Sequence, residues 1–290
     1  MYTKLNGKRI FFDVLSDGLM STPDGRNIAK PALFALHGGP GMDHSGIKPC
    51  MQPLQDIAQV VLFDQRGSGL SDSVTKDEWS MELMSKDIEG LKNCLGLDKI
   101  ILLGISFGGM LALDYALRFP DSLSGLVLVA TTPSERAFEE AAKFASELKD
   151  EKLKENAFKL LRGGFKDDDD LKETLAITTP LYSNNGTPEE TRKMLKHLNL
   201  NSFVLNSFFS GKCGKYDLED RLGEINVPTL IIGGEDDWIC PISQSRIMNE
   251  KIPNSKLVVF EKGKHFIFND ERQKYVSTVR TFIEKISNQV

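Results

Sequence analysis

The chain has 290 residues, of which 40% are apolar, and a formal net charge of −5 at pH 7. This length predicts one large domain, or one domain with an insertion, around a sizeable core. The acidic balance and the lack of a basic, aromatic-rich patch exclude nucleic acid as an expected partner. Four cysteines at unrelated spacings predict no disulfide framework. We find neither a signal-peptide pattern nor a run of ~18 apolar residues, and we expect a cytoplasmic protein without a membrane partner.

Strands and helices alternate in the first half of the chain. Asn6-Gly7 between alternating polar and apolar residues predicts a hairpin, and hence an antiparallel start. Strands are predicted near 33–36, 59–63, 99–103 and 125–130, and helices near 80–95 and 107–118. This order is typical of a mostly parallel sheet flanked by helices.

The alternation stops after Thr131-Thr-Pro133, where charged amphipathic helices are predicted at 134–162 and 187–200. The run Asp167–Asp170 predicts a solvated turn that begins a helix. Strands resume at 227–232 and 256–260. We therefore predict an α/β core formed by residues 1–131 and 226–290, with a helical cap inserted over 132–225.

A glycine-rich loop follows the strand predicted at 33–36. It reads His37-Gly-Gly-Pro-Gly41, and its glycines permit close backbone approach and unpaired N–H groups. Such a loop supplies one oxyanion donor in enzymes with a nucleophile elbow, and the residue after the nucleophile supplies the other. His37 and His44 lack the spacing of a zinc site, so no metal is predicted.

The segment Gly104-Ile-Ser-Phe-Gly108 predicts a nucleophile elbow. It lies between an apolar strand and a helix, and a sharp turn there lifts the Ser106 hydroxyl above the sheet. The alternative is a serine that only caps the helix. The strand and the helix on the expected sides favour the elbow.

A serine nucleophile needs a base and an acid. In enzymes with a nucleophile elbow, the chain order is serine, then the acid, then the histidine. Of the histidines after Ser106, His197 falls in an amphipathic helix, whereas His265 falls in a loop after a strand. We therefore predict His265 as the base. The loop 233–241 offers Glu235, Asp236 and Asp237 as acids, and its composition does not choose among them.

Four strings together resemble the α/β-hydrolase superfamily, and more narrowly its proline iminopeptidase branch. They are His37-Gly-Gly-Pro-Gly41, Phe63-Asp-Gln-Arg-Gly-Ser-Gly-Leu-Ser-Asp72, Gly104-Ile-Ser-Phe-Gly-Gly109 and Asp237-Trp-Ile-Cys-Pro241. The similarity covers about 30–130 and 226 to the end. The resemblance implies a triad of Ser106, Asp237 and His265, oxyanion donors from the amides of Gly39 and Phe107, and no cofactor.

The resemblance also implies a substrate with a free amine, which acidic groups hold. Glu235 stands where one such group occurs in some members, while Leu205–Phe209, the place of a second, contains no carboxylate. We predict a serine hydrolase that releases N-terminal proline or a small apolar residue through an acyl-enzyme. The alternatives are an ester or lactone hydrolase and a non-catalytic binding protein. The expected partner is a small molecule or a short peptide, and the sequence does not define the oligomeric state.

Overall fold

The computed structural model describes residues 1–21, 25–212 and 216–288. Eight strands form one sheet in the order β1-β2-β6-β5-β7-β8-β9-β10. Strands β3 and β4 pair separately as a small antiparallel sheet. The strands are β1 (Tyr2–Leu5), β2 (Lys8–Val14), β3 (Leu19–Ser21), β4 (Asn27–Ala29), β5 (Ala32–Leu36), β6 (Gln59–Phe63), β7 (Ile100–Ile105), β8 (Leu123–Val129), β9 (Thr229–Gly234) and β10 (Ser255–Phe260).

The main sheet is parallel except at its β1–β2 edge. β2 pairs antiparallel with both β1 and β6, and the remaining neighbours are parallel. Asn6 (φ 44°) and Gly7 (φ 82°) turn the chain between β1 and β2, as a two-residue hairpin requires. The predicted antiparallel start and mostly parallel sheet are therefore confirmed. The pair β3–β4 was not predicted, because its short strands are largely exposed and carry no apolar alternation.

Apolar side chains explain why the central strands form. Every residue of β5, β7 and β9 is buried, as expected for parallel strands that are covered on both faces. Two apolar clusters cover the two faces, one including α3 and the other including the C-terminal helix.

Eleven α-helices occur in the described chain: α1 (Lys48–Met51), α2 (Met81–Cys94), α3 (Phe107–Arg118), α4 (Arg136–Ser146), α5 (Glu151–Arg162), α6 (Asp168–Tyr182), α7 (Pro188–Leu195), α8 (Ser202–Ser207), α9 (Ile242–Lys251), α10 (Ile267–Asp270) and α11 (Arg272–Ser287). A π-helical segment, Phe208–Lys212, continues from α8. The helices predicted at 80–95 and 107–118 are α2 and α3.

Between β8 and β9 the described residues form helices α4 to α8 and no named strand; we call this region the helical insertion. Asp167 caps α6 by accepting a hydrogen bond from the Asp170 amide at 2.8 Å, so the acidic run begins a helix as predicted. A third apolar cluster lies in the insertion and also includes Trp238, Ile239 and Cys240 from the loop after β9. The insertion therefore packs on that loop, while the exact boundaries 131/132 and 225/226 stay predictions.

Cys50, Cys94 and Cys240 are free thiols, and Cys213 lies outside the described residues. Within the described ranges, no helix has the length and apolar character that crossing a bilayer needs.

Candidate active site

Ser106 stands on the sharp turn between β7 and α3. Its backbone angles, φ 54° and ψ −120°, are rare for a residue with a side chain. The Ser106 amide donates to the Val129 carbonyl at 2.9 Å. The Ser106 carbonyl accepts from Thr131 Oγ1 at 2.7 Å and from the Gly109 amide at 2.8 Å. The neighbouring strand and helix thus hold the strained turn that the glycine pattern predicts.

The glycines around Ser106 are needed because backbones meet there. A Cβ on Gly104 would overlap the backbone of Gly108, and a Cβ on Gly108 would lie 2.5 Å from the Leu36 carbonyl oxygen. Both distances are too short for a side chain. The glycines therefore let α3 begin directly against β5 and β7, which brings the serine beside the loop after β5.

His265 is paired with Asp237. Its Nδ1 donates to Asp237 Oδ2 at 2.8 Å, and both residues are buried. Asp237 Oδ1 accepts from the amides of Ile239 and Cys240, each at 3.0 Å. With the proton on Nδ1, a neutral ring presents Nε2 as an acceptor. The Tyr182 ring meets the imidazole edge-on at 5.3 Å and fixes its orientation.

The turn after β9 separates the three candidate carboxylates. The amides of Glu235 and Asp236 donate to the carbonyls of Phe260 and Gly263, at 3.0 and 2.8 Å. In this turn Glu235 and Asp236 are exposed, whereas Asp237 is buried. Only Asp237 reaches the histidine. Glu235 is not among the residues that line the cavity described below, so the structure does not bring it to the place predicted for a substrate contact.

The loop after β5 lies against Ser106. A Cβ placed on Gly38 would be 3.3 Å from the Ser106 Cβ, and Gly39 has a φ of 118°. In the described chain, no protein acceptor pairs with the backbone N–H of Gly39 or of Phe107. Two free N–H groups beside a serine hydroxyl are suited to bind an oxyanion.

His37 and His44 hold this loop and the loop after β6 together. His37 Nδ1 donates to the Gly38 carbonyl at 2.8 Å, and Nε2 accepts from the Gln65 amide at 3.2 Å. Burial lowers the pKa of His37, which favours this neutral form. Burial alone would also lower the pKa of His44, but its 2.8 Å bond to Asp64 raises it above the usual value. Both rings therefore have structural partners, and His197 is exposed.

Cys240 adds a thiol beside the predicted triad. The ligand atoms of Asp237, Cys240 and His265 lie within 4.8 Å of one another, a group that could in principle hold a metal. Burial, with the nearby Asp237 charge, raises the pKa of the Cys240 thiol well above its usual range, whereas a bond with Ser106 acts the other way. Both Asp237 oxygens accept hydrogen bonds from protein groups, Oδ2 from His265 and Oδ1 from the loop amides.

Ser106 and His265 face a cavity of about 560 Å³ between the sheet and the helical insertion. Its wall is mainly aliphatic and aromatic, with contributions from α4 to α8. Sequence analysis did not identify these wall residues. The available signal was the helical spacing of Leu171, Leu175 and Thr179, which all line the cavity from α6.

Comparison with known proteins agrees with this geometry. The family described as the alpha/beta hydrolase fold matches residues 31–271. Proline iminopeptidase PfmaB of Pestalotiopsis fici is 31% identical over 265 residues, covering 88% of this chain and 92% of that protein. A proline iminopeptidase of Thermoplasma volcanium is 29% identical, covering 98% of this chain and 96% of its own length.

Solved structures show the same fold. The crystal structure of a proline iminopeptidase from Mycobacterium smegmatis superposes with a TM-score of 0.78 at 21% identity, covering 99% of this chain and 98% of that one. A thermophilic esterase from Thermogutta terrifontis gives a TM-score of 0.69 at 24% identity, covering 99% of each. The chain therefore belongs to the α/β-hydrolase fold family, a family of hydrolytic enzymes, and its relatives include proline iminopeptidases.

Proposed function

We propose that the protein is a serine hydrolase that works through an acyl-enzyme on Ser106. His265 Nε2 takes the hydroxyl proton while Ser106 Oγ bonds to the substrate carbonyl carbon. The amides of Gly39 and Phe107 bind the resulting oxyanion. The tetrahedral intermediate then collapses, and His265 returns the proton to the leaving group. Water repeats the sequence and releases the acid.

The observation that carries this proposal is the His265–Asp237 bond next to a serine on a strained turn. Asp237 accepts a hydrogen bond from His265 Nδ1 at 2.8 Å and so keeps the proton on that nitrogen, which leaves Nε2 as the free acceptor. The Asp237 carboxylate also stabilises the imidazolium that forms during the reaction. A protein that only binds ligand has no need of this buried pair or of two unpaired amides beside the serine.

As substrate we propose a peptide or amide from which N-terminal proline or a small apolar residue is released. The relatives named proline iminopeptidase at 29–31% identity over most of the chain support this choice. A second candidate is ester or lactone hydrolysis on the same residues. The position of Glu235 favours it, because the carboxylate that the resemblance assigns to a substrate amine is exposed and does not line the cavity.

The test compares proline p-nitroanilide, its N-acetylated form and short p-nitrophenyl esters. An aminopeptidase should prefer the free-amine anilide by ~100-fold or more, since acetylation removes a charge that the site recognises. If the acetylated anilide turned over as fast as the free-amine anilide, or if only the esters turned over, the protein would be an ester or lactone hydrolase instead. Ser106→Ala should abolish all of these activities, with a loss of ~10⁴-fold or more. Glu235→Gln changes an exposed carboxylate outside the cavity and serves as the control that keeps Ser106.

A cytoplasmic location stays a prediction from the sequence.

A further inference from the structure

The cavity beside Ser106 has one strongly cationic residue in its wall, Arg272 at the start of α11. Among the described residues that line the cavity, no other is a lysine or an arginine. Arg272 is exposed, and no carboxylate of the described chain forms an ion pair with it. Its neighbour Glu271 pairs with Lys274 at 3.5 Å instead. The wall therefore carries an unpaired guanidinium.

The carboxylates that line the same cavity are held by groups other than Arg272. Asp43 accepts from a backbone amide of the helical insertion at 2.8 Å. Glu190 accepts at 2.7 Å from the hydroxyl of the residue that caps its own helix. Asp270 accepts from Ser183 Oγ at 2.6 Å. Because these acids have other partners, the charge of Arg272 is left for solvent or for a ligand.

Two more unpaired donors lie on the same side of the cavity as Arg272. Asn269 precedes it by three residues, and Tyr182 packs against this segment with its ring 5.2 Å from the Phe266 ring. The Phe266 amide donates to the Tyr182 carbonyl at 2.8 Å. Both Asn269 and Tyr182 line the cavity, and in the described chain neither their carboxamide nor their hydroxyl has a protein partner. Guanidinium, carboxamide and hydroxyl groups are the donors that bind a carboxylate.

The Arg272 charge acts on a buried group behind the cavity wall. Burial raises the pKa of the Cys50 thiol to about 12, and the Arg272 charge opposes that rise. Cys50 follows by three residues Ile47, which lines the cavity. Charges in water are screened beyond about 10 Å. The guanidinium therefore lies near the wall that Ile47 helps to form.

We propose that Arg272 binds a carboxylate of the substrate, with Asn269 and Tyr182 as neighbouring donors, and that the preferred substrate is a short peptide with a free C-terminal carboxylate. The planar N–H groups of arginine match the two oxygens of a carboxylate. This inference rests on the proposed release of an N-terminal residue at Ser106, and it goes further by defining the leaving group.

The reaction determines which part of the substrate carries the carboxylate. Proline or a small apolar residue forms the acyl-enzyme and has no side-chain carboxylate, so the carboxylate belongs to the leaving peptide. An extended peptide spans about 3.5 Å per residue. Only a short peptide can therefore place its C-terminus in the cavity that also contains Ser106.

The test measures release of proline from prolylglycine, from prolylglycylglycine and from the C-terminal amide of each. At one or both lengths, kcat/KM should be higher for the acid than for the amide by ~10-fold or more, because amidation removes a charge-assisted hydrogen bond. Equal values for acid and amide at both lengths would overturn the inference.

A matched pair of arginine variants tests the location. Arg246 in α9 is also exposed, but it does not line the cavity. Arg272→Gln should lower the acid-to-amide ratio of kcat/KM to about 1, and Arg272→Lys should restore only part of it, because lysine keeps the charge without the planar donor pair. Arg246→Gln should leave the ratio at the wild-type value. The same fall in both glutamine variants would show a general effect of charge and would contradict binding at Arg272.

Two measurements separate failure of this inference from failure of the proposed function. If a fluorophosphonate probe does not label Ser106 and no substrate turns over, the proposed function fails. If esters turn over and neither a peptide nor proline p-nitroanilide does, the proposed peptide substrate fails and this inference fails with it. If Ser106 is labelled and proline is released from acids and amides at equal rates, only this inference fails.

A binding measurement tests the same contact without turnover. In calorimetry, Ser106→Ala should bind the better of the two acid peptides ~10-fold more tightly than its amide. Adding Arg272→Gln should remove that difference. A difference that survived in the double variant would assign the carboxylate to another group.

Discussion

At the scale of single residues, the position of one carboxylate decides the predicted triad. Glu235, Asp236 and Asp237 are adjacent and chemically alike, so composition did not distinguish them. The turn does: the amides of Glu235 and Asp236 bond to carbonyls near β10, and Asp237 alone turns inward to His265. This orientation depends on backbone contacts with a segment about 25 residues away, which local sequence does not encode.

Replacing Asp237 with asparagine should therefore reduce kcat by roughly 10⁴-fold, because an amide favours the wrong imidazole tautomer. The loss should appear in steady-state turnover of whichever p-nitrophenyl substrate the enzyme prefers, with little change in circular dichroism. Asp236→Asn is the matched control, since that carboxylate is exposed. A larger loss of kcat in Asp236→Asn than in Asp237→Asn would show that Asp236, rather than Asp237, is the acid that orients His265.

At the scale of elements, the sheet could be predicted because its strands are continuous apolar runs. β5, β7 and β9 are buried throughout and lie within two residues of the predicted positions. The ends of the insertion helices and the π-helical segment Phe208–Lys212 were harder to predict from the sequence. Their conformation depends on packing against the sheet domain rather than on local periodicity.

The junction of β7 and α3 gives a prediction at this scale. Gly108→Ala would place a Cβ 2.5 Å from the Leu36 carbonyl oxygen and 2.7 Å from that of His37. Both are backbone atoms that cannot move independently of β5. We expect a loss of about 3 kcal/mol in the free energy of unfolding, measured by urea denaturation, and a loss of turnover.

Gly223→Ala is the control for this substitution. The nearest atom to its added Cβ would be the Lys251 carbonyl oxygen at 3.9 Å, an ordinary contact. Its stability should change by less than ~1 kcal/mol. If the two variants had the same stability, the close approach of α3 to β5 would not constrain the elbow.

At the scale of the whole molecule, the helical insertion is fastened to the loop that carries the proposed oxyanion donor. The Asn201 amide donates to the Gly41 carbonyl at 2.8 Å, and Asn201 Nδ2 donates to the Gly67 carbonyl at 2.8 Å. The Asn199 amide donates to Asp43 at 2.8 Å. One short segment before α8 thus contacts two loops of the sheet domain. Moving the insertion would also move the backbone near Gly39.

Asn201→Ala should affect stability and the loop after β6, which contains Gly67, together. It removes the bond to Gly67 and the cap that accepts from the Phe203 amide at 3.1 Å, at a cost of about 1–2 kcal/mol. Asn206→Ala removes three bonds that stay within the insertion, to the backbone of Gly164 and Phe165. Hydrogen exchange should quicken over residues 65–72, around Gly67, in Asn201→Ala and stay near wild type there in Asn206→Ala. If both variants changed exchange in that loop equally, loss of stability rather than the direct link would account for the effect.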